Sequence, residues 1–457
     1  MSAARPHGSV CLAGVVLFIG TAMSACVPDD PFLCSNDMQC GQGGTCEPEG
    51  GCSFADPTCH TERRFGEYAP DGLGGQCVGA STGAVAELAT GADHTCARST
   101  AGQVWCWGRN DHGALGTGGF ADSAVPKPVA DLPAVQTLAA GDMHTCAVVA
   151  QDSGSGSGSA SEGGDGSARD SGTVWCWGRN DRGQLGDGST ESRARPTRVA
   201  GVNDAIAVSV GAEHSCALRG DGTILCWGGN DHGQLGDGST EGHPQAVRVD
   251  AAEAAVAVVT GAAHSCAVFN SGQLQCWGRN TFGQLGVGNR EDQTAPQPLA
   301  TFTEVQAVAP GRDHTCAMVA SQAWCTGRND LGQLGDDSAT TRTEPVRVVG
   351  TDQVTELSAG WDFSCARSTA GQLQCWGSGA DGRLGNGSSD DLARPARPVM
   401  LERAAISVHA GGRHACAQSD DGCVWCWGAN DFGQLGLGTT ESRDMPGAAR
   451  MGCGLPL

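Results

Sequence analysis

Cysteine and histidine are the residues of this chain that could do chemistry, and they recur at fixed spacing. The motif Gly-x-x-His-Thr/Ser-Cys-Ala occupies 91–97, 141–147, 211–217, 261–267 and 311–317. Two variants complete the set: 360–366 has Phe363 in place of His, and 411–417 has Ala415 in place of the hydroxyl residue. A second cysteine follows each copy, in a run of the form Cys226-Trp227-Gly228-Gly229-Asn230-Asp231-His232-Gly233-Gln234-Leu235-Gly236. Two cysteines and a histidine per copy invite a zinc reading, but a tetrahedral site needs a fourth ligand, and neither a second His nor a fixed carboxylate recurs nearby. Disulfides are the simpler chemistry. The recurring His94, His144, His214, His264, His314 and His414 then read as hydrogen-bonded structural residues and not as bases.

The elements that must position these residues follow from the repeat itself. From one first Gly of the motif to the next the spacing is 50, 70, 50, 50, 49 and 51 residues, a period that marks a propeller or an array whose units bury their cores against one another. Within a unit, alternating pairs such as Val208 and Val210, or Val256 and Val258, precede the His-Cys motif. A second alternating run such as 222–228, a Gly-rich loop and Pro-x-x-Val at 196–199 and 345–348 come after it. Period-two stretches between Gly, Asn and Asp clusters predict short antiparallel strands, three or four to a unit, which is one propeller blade.

The second unit is longer because of 151–171, a tract of Ser, Gly and Asp that cannot bury apolar surface and is expected to be a disordered hairpin tip. A hairpin at that point sets two cysteines on neighbouring strands face to face, close enough to bond. The expected pairs are Cys96 with Cys106, Cys146 with Cys176, Cys216 with Cys226, Cys266 with Cys276, Cys316 with Cys325, Cys365 with Cys375, and Cys416 with Cys426. Cys423 and Cys453 occur only in the last unit and are expected to pair, tying down the tail 451–457.

Other chemistry is poorly supported. The Gly-rich loop, as in 178–188, looks like a phosphate-binding fingerprint but lacks the Gly-Lys-Ser/Thr ending and a following helix, so its glycines are expected to serve turns of positive φ. Its Asn-Asp and Asp-Gly elements match neither an EF-hand nor a nonapeptide calcium repeat. No catalytic residue, cofactor or metal ligand is assigned. A residue present in every unit is explained by what every unit needs, so a single site would be marked by departures from the pattern. Those departures are Thr326 where other units have Trp, Trp361 and Phe363 in the sixth motif, and Ser378-Gly379-Ala380-Asp381 in the sixth loop. One loop position also varies, as His112, Arg182, His232, Phe282, Leu331, Asp381 and Phe432. None of these pairs a nucleophile with its base. They read as a surface that differs unit by unit, with Trp361, Phe282 and Phe432 as candidate partner contacts.

Composition bounds the rest. A net charge of −22 and the absence of basic runs exclude a phosphate-neutralising, nucleic-acid-binding surface. Seventy-one glycines and a single Tyr in 457 residues fit an all-β chain rich in turns. Twenty-four cysteines imply an oxidising compartment. The first 25 residues carry Arg5, a short apolar core and a small-residue end, as an export signal does. Met23-Ser24-Ala25-Cys26 resembles a lipobox, which would make Cys26 a lipidated first residue and the lipid the chain's only membrane contact, and ordinary cleavage after Ala25 is the alternative. Segment 26–80, with six cysteines from Cys34 to Cys77 and no Cys-x-x-Cys, reads as a disulfide-linked spacer before a repeat region at 84–450.

The pattern at 261–288 closely resembles the repeats of the regulator of chromosome condensation family. The resemblance implies an all-β, seven-bladed β-propeller of four-stranded sheets in which first and last units meet. It also implies a monomeric, non-enzymatic module that grips a protein partner with one face. Family members include a nuclear exchange factor for a small GTPase and a secreted inhibitor of β-lactamases. The export signal, acidic charge and cysteines of this chain oppose nuclear exchange and leave hydrolase inhibition as the nearer alternative. A carbohydrate-acting lyase or hydrolase is a further one.

Overall fold

A computed structural model of the chain describes residues 84–150, 171–299, 302, 304–401 and 403–451, together with the backbone of three short N-terminal strands. The expected signal segment 1–25, Cys26, the insert 151–170 and Cys453 lie outside the described residues. The chain divides into two units at about residue 81. In the first, Thr45–Cys46, Cys52–Ala55 and Arg63–Phe65 form an antiparallel sheet in chain order.

The second unit holds the repeats, each a set of antiparallel strands lying side by side in chain order, with those of the second and third repeats joined into one eight-stranded sheet by a bridge between Gly172 and Ala205. In the third repeat the strands are Ala205–Val210, His214–Arg219, Ile224–Gly228 and His243–Arg248. The His-Cys motif forms the second strand and the Cys-Trp-Gly run the third, so the hairpin between them brings Cys216 directly opposite Cys226. The same register recurs, and each repeat is bridged by a buried disulfide with Cα atoms 4.1 Å apart, from Cys96–Cys106 to Cys416–Cys426. Cys423 is also disulfide-bonded. Each outer strand carries proline, as at Pro126, Pro196, Pro296, Pro345 and Pro446, which suits an edge with no further neighbour.

The core lies between sheets and not within one. Leu218, Ile224, Leu235 and Val249 of the third repeat pack with Ala255, Val258, Phe269 and Trp277 of the fourth. Burial of this kind, worth about 25 cal/mol per Å² of apolar surface, rewards each sheet only when its neighbour is present. The Trp of each Cys-Trp-Gly run inserts into the Gly-rich loop of the repeat before it. The Trp277 Nε1–H donates to the Gln234 carbonyl at 3.0 Å, and Trp227 does the same to Gln184 at 2.9 Å. Gly236 has to be glycine for this, because its φ is +70° and a Cβ there would sit 2.5 Å from Trp277 Nε1. The last repeat returns to the first by the same device, with Trp107 donating to the Gln434 carbonyl at 2.9 Å and the Gly412 N–H to the Gly91 carbonyl at 3.0 Å.

Two repeats depart from the plan. In the fifth, Thr326 stands in for Trp and its hydroxyl lies 3.0 Å from the Gly283 carbonyl, keeping a donor toward the preceding loop. In the sixth, the fourth strand is reduced to two bridges, Gly377 with Leu392 and Gln374 with Pro398. The equivalent pairs in the first repeat are Gly108 with Ser123 and Trp105 with Pro128. The sixth therefore spends one more residue between the same two anchor points and loses the ladder there. No α-helix occurs among the described residues, and a 3-10 turn at Ala380–Gly382 occupies the altered sixth loop.

Candidate functional site

Because strands alternate in direction, the turn between first and second strands and the loop between third and fourth emerge at the same end of every sheet. The Arg109 N–H, in such a loop, donates to the carbonyl of Asp93, in such a turn, at 2.9 Å. The first strands line a central channel of about 370 Å³, and one mouth of it is built by the seven turns that open the motif, six of them Gly-x-x-His and the sixth Gly-x-x-Phe. We call this end of the channel, with its surrounding loops, the turn face.

Beneath the turn face runs a belt of buried hydrogen bonds. His94 Nε2 lies 2.9 Å from Thr145 Oγ1 of the next repeat, and the series continues as His144 to Ser215, His214 to Ser265, His264 to Thr315 and His314 to Ser364, ending with His414 to Thr95 across the join. Each hydroxyl donates its one proton to a loop carbonyl, as Ser265 does to Gln234 at 2.9 Å. It must therefore accept from the imidazole, which fixes the Nε2–H tautomer. Burial pushes these histidines down, His94 and His314 to about 4 and His144, His214, His264 and His414 to about 3. They are neutral donors, with Nε2 committed and the cysteines oxidised. The first Gly of the motif gives the ring its room, since a Cβ on Gly91 would lie 2.3 Å from His94 Cε1.

The belt has one gap, and both sequence variants sit in it. Phe363 replaces the sixth His and Ala415 replaces the hydroxyl residue it would have met, and the two pack in one apolar cluster. A donor and its acceptor are removed together, so neither is left unpaired in the core.

On the surface above, the three candidate aromatics share one arrangement. Phe282, Trp361 and Phe432 are half-buried, each under an arginine: Arg279 and Arg328 lie 5.8 and 5.5 Å from the Phe282 ring centre, Arg312 5.2 Å from that of Trp361, and Arg109 4.9 Å from that of Phe432. Such stacking holds both ring and guanidinium in place. Acidic residues of neighbouring turns complete the pattern, with Arg279 paired to Asp313 at 3.2 Å, Arg328 to Asp362 at 3.5 Å and Arg413 to Asp93 at 3.0 Å. At the varying loop position Arg182 pairs with Glu213, and His232 lies 2.7 Å from Asp292.

Sequence reasoning singled out Trp361 but missed its partners. The residue after the first Gly of the motif is Ala92, Asp142, Ala212, Ala262, Arg312, Trp361 or Gly412. The three large members meet at the channel mouth: the Trp361 Nε1–H donates to Asp142 Oδ1 at 3.1 Å, 219 positions away, while Arg312 covers the ring. Gly412 permits the crossing, because a Cβ there would lie 2.8 Å from Trp361 Cε2. Burial pushes the Asp142 carboxyl up, against the pull of the indole N–H and Arg312. Aligning the turns at that single column would have shown the three outliers, although not that they touch.

A ring of repeated antiparallel sheets with a common hydrogen-bonding belt and one face of unlike residues defines a repeat-built scaffold. The chain belongs to the regulator of chromosome condensation (RCC1) repeat family. The RCC1-like domain model matches residues 167–417, and two forms of the RCC1 repeat match 101–148 and 421–450, and 85–114 and 405–434. Among proteins of known function it is 34% identical over 140 residues to the ultraviolet-B receptor UVR8 of Arabidopsis thaliana, an alignment covering 29% of this chain and 27% of that protein. It is 39% identical over 82 residues to the human E3 ubiquitin-protein ligase HERC2, covering 18% of this chain and 2% of that one. The chain thus spans about a quarter or less of the length of these relatives. Among solved structures, Prp20p from Saccharomyces cerevisiae superposes with a TM-score of 0.64 at 21% identity over 80% of this chain and 87% of that one. Human WBSCR16 superposes with 0.63 at 21% identity over 73% and 86%. These likenesses concern the fold.

Proposed function

We propose that this protein is an exported, non-enzymatic binding module, a closed propeller of seven disulfide-stapled blades that holds a protein partner on its turn face. One observation carries the reading: the residues that break the repeat, Trp361, Arg312 and Asp142 at the channel mouth and Phe282 and Phe432 around it, gather on one face and are held rigid there. Aromatic and arginine side chains supply most hot-spot energy in protein interfaces, and pre-ordered ones bind at lower entropic cost. Fixed disulfides in every blade suit an oxidising location. Lipidation at Cys26 would tether a monomeric ring at a membrane surface and leave the propeller clear of it. The structure of Prp20p was reported together with its binding to Gsp1p and histones, which supports partner binding as a use of this fold without naming the partner here.

The test is capture from a cell-envelope extract by the full chain and by a variant carrying Phe282→Ser and Phe432→Ser. Both side chains are half-exposed, so the variant is expected to keep its melting temperature within a few degrees and to lose at least ten-fold of whatever the native face retains. Equal retention by both proteins would reject the turn face as the binding surface.

A further inference from the structure

At the centre of the turn face Arg312 differs from the arginines around it. Its neighbours are neutralised within the face, Arg279 by Asp313 at 3.2 Å and Arg413 by Asp93 at 3.0 Å among them. Arg312 is exposed and forms no ion pair among the described residues. The two acids whose fields it feels are already engaged, Asp142 by the indole N–H of Trp361 and Asp362 by Arg328. The guanidinium is nonetheless fixed, since it lies 5.2 Å above a Trp361 ring that is itself anchored across the mouth. Beside it opens the channel of about 370 Å³, more space than one side chain fills. A positioned, unneutralised guanidinium with an apolar plane behind it and room in front is suited to bidentate recognition of a planar carboxylate.

We propose that Arg312, braced by Trp361, receives an aspartate or glutamate side chain of the protein partner at the channel mouth. This rests on the turn face being the binding surface and adds the chemistry read at its centre. A uronate-bearing glycan presents the same carboxylate. The protein source is favoured because the surrounding contacts are arginine-capped phenylalanines spread over the face, as an extended protein surface requires and a single sugar does not.

The test uses phage-displayed, disulfide-closed loops of randomised sequence, selected on the full chain and then measured as purified peptides. Loops enriched on the native protein are expected to contain an acidic residue whose Glu→Gln or Asp→Asn replacement weakens binding at least ten-fold. R312Q is expected to weaken the same loops to the same extent, with the two losses not adding and with an unchanged melting temperature. Loops that depend on Phe282 and Phe432 but tolerate both Glu→Gln and R312Q would overturn this proposal and leave the turn-face reading standing. Recovery only of loops indifferent to Phe282→Ser, Phe432→Ser and R312Q would overturn both. Preferential, Arg312-dependent binding of uronate oligosaccharides over acidic loops would overturn the assignment to a protein partner.

Discussion

At the residue scale, the recurring histidines form a buried hydrogen-bonded belt, the structural role their repetition led us to expect. An imidazole held neutral by burial donates to a hydroxyl one repeat away, and the sixth junction shows that an apolar pair can replace the polar one. Ser265→Ala alone leaves the buried His214 N–H without an acceptor and is expected to cost about 1–3 kcal/mol. Adding His214→Phe, which reproduces the Phe363 and Ala415 arrangement, is expected to recover at least about 1 kcal/mol, read as the coupling in a double-mutant cycle of urea unfolding. Both departures were visible in the sequence. Their pairing was not, because the hydroxyl partner lies one repeat on from its histidine and nothing in a linear reading joins 363 to 415. The same burial makes stability depend on pH. A histidine whose pKa is lower folded than unfolded takes up its proton more readily when unfolded. Its contribution is therefore complete above about pH 6.5 and is lost as pH falls toward the folded values of about 3 to 4. Each buried ring is expected to withdraw up to about 1.4 kcal/mol per pH unit in that window. The urea midpoint should drop steeply between pH 6.5 and 5, and less steeply in the variant carrying His214→Phe and Ser265→Ala.

At the element scale, strand order and the cross-strand disulfides were legible because the hairpin between the two cysteines forces them opposite one another, as Cys216 and Cys226 show. The sixth outer strand was not legible. Its Arg394-Pro395 reads like Arg195-Pro196 of the second repeat, and one extra residue before Pro398 decides whether a ladder forms. Closing a ten-residue loop is worth roughly 2.5–3 kcal/mol in the chain-entropy model. Replacing Cys216 and Cys226 together by alanine is expected to lower unfolding free energy by about that amount while leaving circular dichroism unchanged. Thiol titration of the denatured, unreduced protein should find the fourteen strand cysteines blocked. Gly236→Ala combines a positive φ with a clash against the neighbouring indole. It is expected to cost more than about 1 kcal/mol, the strain part alone, and to shift Trp277 fluorescence.

At the scale of the whole molecule, the repeat period allowed a propeller or an array, the family resemblance implied closure, and the join between last and first repeats reuses the contacts of every other junction. What periodicity hides is how unlike residues at one register meet across a channel. Asp142 and Trp361 are far apart in sequence and brought together only by closure. In the proposed function, partners are held on the turn face. A photo-crosslinking residue placed singly at Phe282, Phe432 or Asp221 tests it most directly, Asp221 lying in the hairpin turn at the opposite end of its sheet. Irradiation in intact cells is expected to yield a discrete protein adduct from positions 282 and 432 and none from 221. Adducts from 221 alone, or from all three equally, would contradict binding through the turn face.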